Sequence, residues 1–208
     1  MKPLAWSAAL LAILGCSSGP SRIEPPSIDA DDAASQAMEM FDKDGDGSIA
    51  GSELDAAPAL KASMATLDTN KDDAVQEDEI VQRIESWQAT GAGITSISVL
   101  VTMNGRPLDN AEITFEPTPF LGNEVKPAVG LTSPRGITSP TILKENRPTP
   151  DTPAGMQYGF YRVRISKKSG GTESIPAKYN AETTLGQQIA NDDPAIMSHN
   201  VRFELESE

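Results

Sequence analysis

The sequence predicts an α+β chain in two parts. Residues 29–92 form a small helical pair of helix–loop–helix units, and residues 93–208 form an antiparallel β-sandwich of about seven strands. Three observations predict this. Apolar residues between Ala34 and Trp87 recur at the three- and four-residue steps of amphipathic helices. From Ile94 onward the apolar period changes to two, the period of half-buried strands. Between the helical stripes lie two acidic stretches of the same spacing, the second beginning 26 residues after the first.

The chain opens with Met1–Lys2, a basic start, followed by an almost wholly apolar run from Leu4 to Leu14. That run is too short to span a bilayer, which takes about 20 apolar residues. It has the length of the apolar part of an export signal, expected over residues 1–15. The residues Ile13-Leu14-Gly15-Cys16 resemble the lipobox of bacterial lipoproteins. The resemblance implies cleavage before Cys16, acylation of that cysteine, and a membrane held through the lipid anchor. In that family a serine such as Ser17 after the cysteine favours the outer membrane. The competing reading is an ordinary export signal with a chance cysteine. Cys16 is the single cysteine, so no disulfide staples the chain. Residues 16–28, rich in Pro and poor in apolar side chains, read as a lipidated tether. Its twelve residues after Cys16 reach at most about 40 Å.

Next come the acidic stretches. Asp42, Asp44 and Asp46 alternate, Gly47 follows, and Glu53 closes a span of twelve residues. With the carbonyl of Ser48 and the apolar Ile49, this fits the twelve-residue EF-hand loop at every informative position. Oxygens crowded so closely repel one another unless a hard cation neutralises them, and calcium takes six to eight oxygen ligands. Asp68, Asn70, Asp72, the carbonyl of Ala74, and Glu79 repeat the pattern, with Val75 as the counterpart of Ile49. Asp73 stands where the first loop has its turning glycine, and Asn70 removes one charge, so the second loop is expected to bind calcium more weakly. The flanks agree. Ala34, Ala37, Met38 and Phe41 precede the first loop; Leu60, Met64 and Leu67 precede the second; Ile80, Ile84 and Trp87 follow it. Pro58 interrupts the helix between the loops, and Gly91 and Gly93 end the last one. Met38, Met40 and Met64 read as core rather than as a sensor's groove.

In the remaining chain, Ile97, Val99, Val101 and Met103 alternate with polar residues, and Asn104-Gly105 is a hairpin turn signal. Ile113 with Phe115, then Tyr161, Val163 and Ile165, then Val201, Phe203 and Leu205 alternate likewise. Residues 117–156 hold 8 prolines and read as loop, with short edge strands near 128–132 and 137–142. The segments VTMNGRPLDNAEITFEP, YGFYRVRISKK, IPAKYN and NVRFELE resemble the transthyretin-like, carboxypeptidase-regulatory-type sandwich of small envelope lipoproteins. The resemblance covers about residues 95–206 and implies a structural or binding module without catalysis. It departs from the family at residues 133–136, where Ser-Pro-Arg-Gly replaces the usual Asp-Gly turn.

Charge excludes one class of partner. Residues 22–90 carry 17 acidic against 5 basic residues, which repels nucleic acid. His199 is the single histidine and, expected on a strand, reads as structural; without it no Ser-His-Asp set is possible, and the sequence holds no zinc cluster. Arg162, Arg164, Lys167 and Lys168 offer bases to an acidic glycan or lipid headgroup, but read more simply as a solvated strand face. The sequence thus points to a non-catalytic, exported calcium-binding lipoprotein of the cell envelope, its sandwich a scaffold or docking surface. The alternative is an interaction module for an envelope protein or glycan, in which the acidic loops are only structural.

Overall fold

The computed structural model describes residues 23–207. The export signal over 1–15, Cys16 and the first part of the expected tether lie outside the described residues. The fold is α+β, with six α-helices and several antiparallel sheets among the described residues.

Helix α1 (Ala30–Phe41) starts at Asp29, whose carboxylate accepts the Asp32 amide at 3.1 Å. Asp31 and Asp32 place negative charge in its first turn, where the helix dipole favours it. After the first acidic loop come β1 (Ile49–Ala50), α2 (Ser52–Ala56), α3 (Pro58–Lys61) and α4 (Met64–Leu67). Pro58 opens α3 at the one helical position where its missing N–H costs nothing. The stripe through Leu60, Met64 and Leu67 predicts one helix, yet α3 and α4 are separate. Buried Ser63 lies at the break, its hydroxyl donating to the Ala59 carbonyl at 2.6 Å. That local bond competes with the helical ladder. Strand β2 (Ala74–Val75) and α5 (Glu77–Ala89) complete the segment, and β1 pairs antiparallel with β2, Ile49 opposite Val75.

The strands that follow are β3 (Val99–Met103), β4 (Arg106–Pro107), β5 (Glu112–Pro117), β6 (Ala128–Leu131), β7 (Ile137–Thr138) and β8 (Thr141–Ile142). Then come β9 (Gly159–Ser166), β10 (Lys168–Ser169), β11 (Thr172–Glu173), β12 (Leu185–Ile189), the short helix α6 (Pro194–Met197) and β13 (Val201–Leu205). One sheet runs β12-β9-β5-β6-β8, all antiparallel. The other centres on β3, with β13 on one side and β4 and β7 on the other. The sheets meet where Phe115 of β5 packs edge-on to Phe203 of β13, ring centroids 6.2 Å apart. Asn104 and Gly105, at φ 50° and 74°, make the β3–β4 turn that the sequence signals. The Ser133–Gly136 turn carries the chain from one sheet to the other, β6 lying in the first and β7 in the second.

Four expectations are corrected. The final strand β13 pairs with β3 in parallel, not antiparallel. Alternation is the same for either direction, and β13 reaches β3 only after the chain has passed through the other sheet. Residues 23–28, expected within the tether, are docked: Gly93 donates to the Ile23 carbonyl at 3.0 Å, Gln88 Nε2 donates to the Ile28 carbonyl at 2.6 Å, and Ile28 is buried. His199 stands in the turn after α6 at φ 51°, not on a strand. Finally, the helical segment and the sheets share one contiguous apolar core, running from Ala34 and Leu60 through Trp87 to Phe115 and Phe203. Trp87 meets Phe160 at 4.7 Å, and Phe41 meets Phe120 at 6.4 Å.

Candidate metal centre

The two acidic loops are built alike, position by position. In each, the first acid folds back on the amides ahead of it. Asp42 accepts from Gly45 at 2.7 Å and from Gly47 at 3.0 Å. Asp68 accepts from Lys71 at 2.6 Å and from Asp73 at 3.0 Å. The third residue accepts from the fifth: Asp44 from Asp46 at 3.2 Å, Asn70 from Asp72 at 3.0 Å. The fifth accepts from the seventh: Asp46 from Ser48 at 2.8 Å, Asp72 from Ala74 at 3.0 Å. These turns wrap the backbone around the acids and leave Asp44 and Asp46 each with a second carboxylate oxygen for another partner.

The twelfth residue closes each loop from the following helix. Glu53 accepts the amides of Lys43 at 2.6 Å, Asp44 at 3.3 Å and Ala50 at 3.1 Å. Glu79 accepts those of Thr69 at 2.7 Å, Asn70 at 3.4 Å and Gln76 at 3.1 Å. These amides hold the Glu53 carboxyl below the usual carboxylate range, Lys43 and Ala50 contributing most, while the nearby Asp46 charge opposes them. The β1–β2 pairing joins the loops back to back through Ile49 and Val75, both fully buried.

The loops differ in what their centres contain. Asp42, Asp44 and Asp46 bring ligand oxygens within 4.8 Å of one another. All the donors are oxygens, with no nitrogen or sulfur, and the three carboxylates are close enough to repel. Such a set fits a hard divalent cation such as calcium. Exposed acidic groups of this kind are also common in proteins that hold no ion. In the second loop the amide of Asn70 donates to Asp72 Oδ2 at 2.9 Å, and Gln76 Nε2 reaches the same oxygen at 2.8 Å. Burial raises the Asp72 carboxyl, but the Ala74 amide and these two side chains outweigh it, and the net direction is down. Gln76 was not singled out in the sequence; its signal is its spacing, four residues beyond Asp72, with β2 between them. Lys71 was missed too. It shares φ 64° with Asp73, and together they reproduce the positive φ of Gly45 and Gly47.

Two residues of the basic strand face share one acid. Arg162 and Arg164 both pair with Glu116, at 2.9 and 2.7 Å. Burial raises the Glu116 carboxyl, but the two guanidinium groups overcome it and hold the carboxyl low. Compared with known protein families, with curated proteins and with solved structures, the chain matches none.

Proposed function

We propose that this chain is a non-catalytic calcium-binding protein of the bacterial envelope. In this reading residues 29–92 are an EF-hand pair, and the sheets that follow are a transthyretin-like sandwich serving as scaffold or docking surface. Calcium in the first loop is held by Asp42, Asp44, Asp46, the Ser48 carbonyl and Glu53. In the second it is held by Asp68, Asn70, Asp72, the Ala74 carbonyl and Glu79. The export signal and Cys16 place the chain on a membrane through a lipid. One observation carries the reading: two loops of different sequence adopt the same hydrogen-bond scheme at positions one, three, five and twelve, joined by the β1–β2 bridge. A chance acidic turn has no reason to repeat in this way.

The Asn70–Gln76–Asp72 contacts support weaker binding at the second loop, because calcium must displace two side-chain amides there. External calcium modules work at about 10⁻⁴–10⁻³ M, the range that suits an exported chain. Equilibrium dialysis of the full-length protein at millimolar calcium tests the proposal. Two ions per chain are expected, and the pair Asp42→Ala with Glu53→Ala removes the tighter one. No retained calcium at that concentration overturns it.

A further inference from the structure

Strand β12 bonds to the helical segment through a buried side chain. Gln188 is 0% exposed. Its Oε1 accepts from Arg83 Nε at 2.7 Å, and its Nε2 donates to Thr66 Oγ1 at 3.0 Å. The amide has one consistent orientation. A guanidinium only donates, so the amide oxygen faces it. The Thr66 hydroxyl spends its own proton on the Ser63 carbonyl at 3.1 Å, so it accepts from the amide nitrogen.

The two residues joined in this way flank the second acidic loop. Thr66 lies on α4, which enters the loop, and Arg83 on α5, which leaves it. Arg83 is anchored in turn by Asp192, whose two oxygens take two guanidinium nitrogens at 2.7 Å each. Among the described residues, no hydrogen bond from the sheets reaches α1 or α2, the helices around the first loop.

We infer that Gln188 is a positioning residue for the second loop. By tying Thr66 to Arg83 it fixes the spacing of α4 and α5. It therefore fixes where Glu79, on α5, stands relative to Asp68, Asn70 and Asp72 at the end of α4. The sheet's hydrogen bonds act on the second loop, whereas the first meets the β-half through packing, Phe41 against Phe120. The binding arm of this inference rests on the calcium reading above; its structural arm does not.

Two-site calorimetry with calcium on the full-length chain tests the binding arm. Gln188→Ala weakens the second site about tenfold, the scale on which groups behind a metal's ligands act, and leaves the first site unchanged. Thr66→Val, which keeps the side-chain volume and removes the α4 arm together with the Thr66 bond to the Ser63 carbonyl, weakens the same site in the same selective way. Equal weakening of both sites, or of neither, overturns the inference, because a general loss of packing would not choose between the loops. Should the unmutated chain take up no calcium, the calcium reading fails, and amide hydrogen exchange decides the rest. Either variant then speeds exchange over residues 64–67 and leaves residues 30–41 as they were. Unchanged exchange over 64–67 overturns the clamp.

Discussion

Two side chains of the second loop stand where the first loop has glycine. Lys71 and Asp73 are both at φ 64°, in place of Gly45 at 74° and Gly47 at 89°. A side chain in that region costs about 1 kcal/mol or more. Replacing both by glycine removes the strain, although the unfolded chain gains freedom and returns part of the benefit. The expected outcome is a net gain of about 1 kcal/mol in thermal denaturation, with tighter calcium binding at the second loop. No gain would mean that the loop holds these conformations without strain. Asp73 was legible because the motif fixes glycine at its sixth position. Lys71 was not, because the motif leaves the fourth open.

Glu173 carries the pH dependence at this scale. Burial raises its carboxyl, but the Ser166 hydroxyl and the amides of Lys167, Ile175 and Ser174 bring it down to about 2 from an ordinary 4.5. A depressed carboxyl stabilises the fold fully above the ordinary value and stops doing so as pH falls toward the depressed one. Stability is therefore expected to drop between about pH 4.5 and pH 2. In Glu173→Gln this group's share of the drop is absent, which urea denaturation at pH 5 and pH 3 would reveal.

At the scale of elements, the closest join lies between α3 and β12. A Cβ built on Gly186 falls 2.0 Å from the Pro58 carbonyl oxygen, so only glycine lets the strand lie against the start of the helix. Neither partner is a flexible side-chain end. Gly186→Ala is expected to cost about 2–3 kcal/mol, near the top of the overpacking range, measured by urea denaturation. A neutral substitution would show that α3 moves freely on the sheet. The sequence revealed the elements themselves better than their joins. Alternation at Ile113 and Phe115, or at Val201 and Phe203, identifies a buried face whatever the strand's partner or direction. For that reason the parallel pairing of β13 with β3 left no trace. The docking of residues 23–28 was hidden for a related reason, since Pro25 and Pro26 suit an extended segment against a surface as well as a free tether. The break between α3 and α4 falls at Ser63, whose hydroxyl bonds back to the Ala59 carbonyl, and the stripe of Leu60, Met64 and Leu67 does not register it.

At the scale of the whole molecule, the helical segment and the sheets share one core and are expected to unfold together. Phe41 packs on Phe120, Trp87 on Phe160, and Arg83 on Gln188 and Asp192, so separating the halves exposes aromatic rings and leaves a buried guanidinium without its partners. Removing one side of such a contact is costly. This placement also opposes a sensor's mechanism. A pair of helices that opens on binding calcium needs its apolar face available, and here Phe120 and Phe160 already occupy it. Calcium is therefore expected to tighten the closed arrangement rather than expose a new surface. At 1 mM calcium and a dissociation constant of about 10⁻⁴ M, one site contributes roughly 1.4 kcal/mol. Because the core is shared, that stabilisation belongs to the sheets as much as to the loops. Far-ultraviolet dichroism, which follows the helices, and near-ultraviolet dichroism, which follows the packed aromatic rings, should melt together, and calcium should raise both midpoints equally. A helical transition that moves with calcium while the aromatic one stays in place would separate the halves, and the sheets would then gain nothing from the loops.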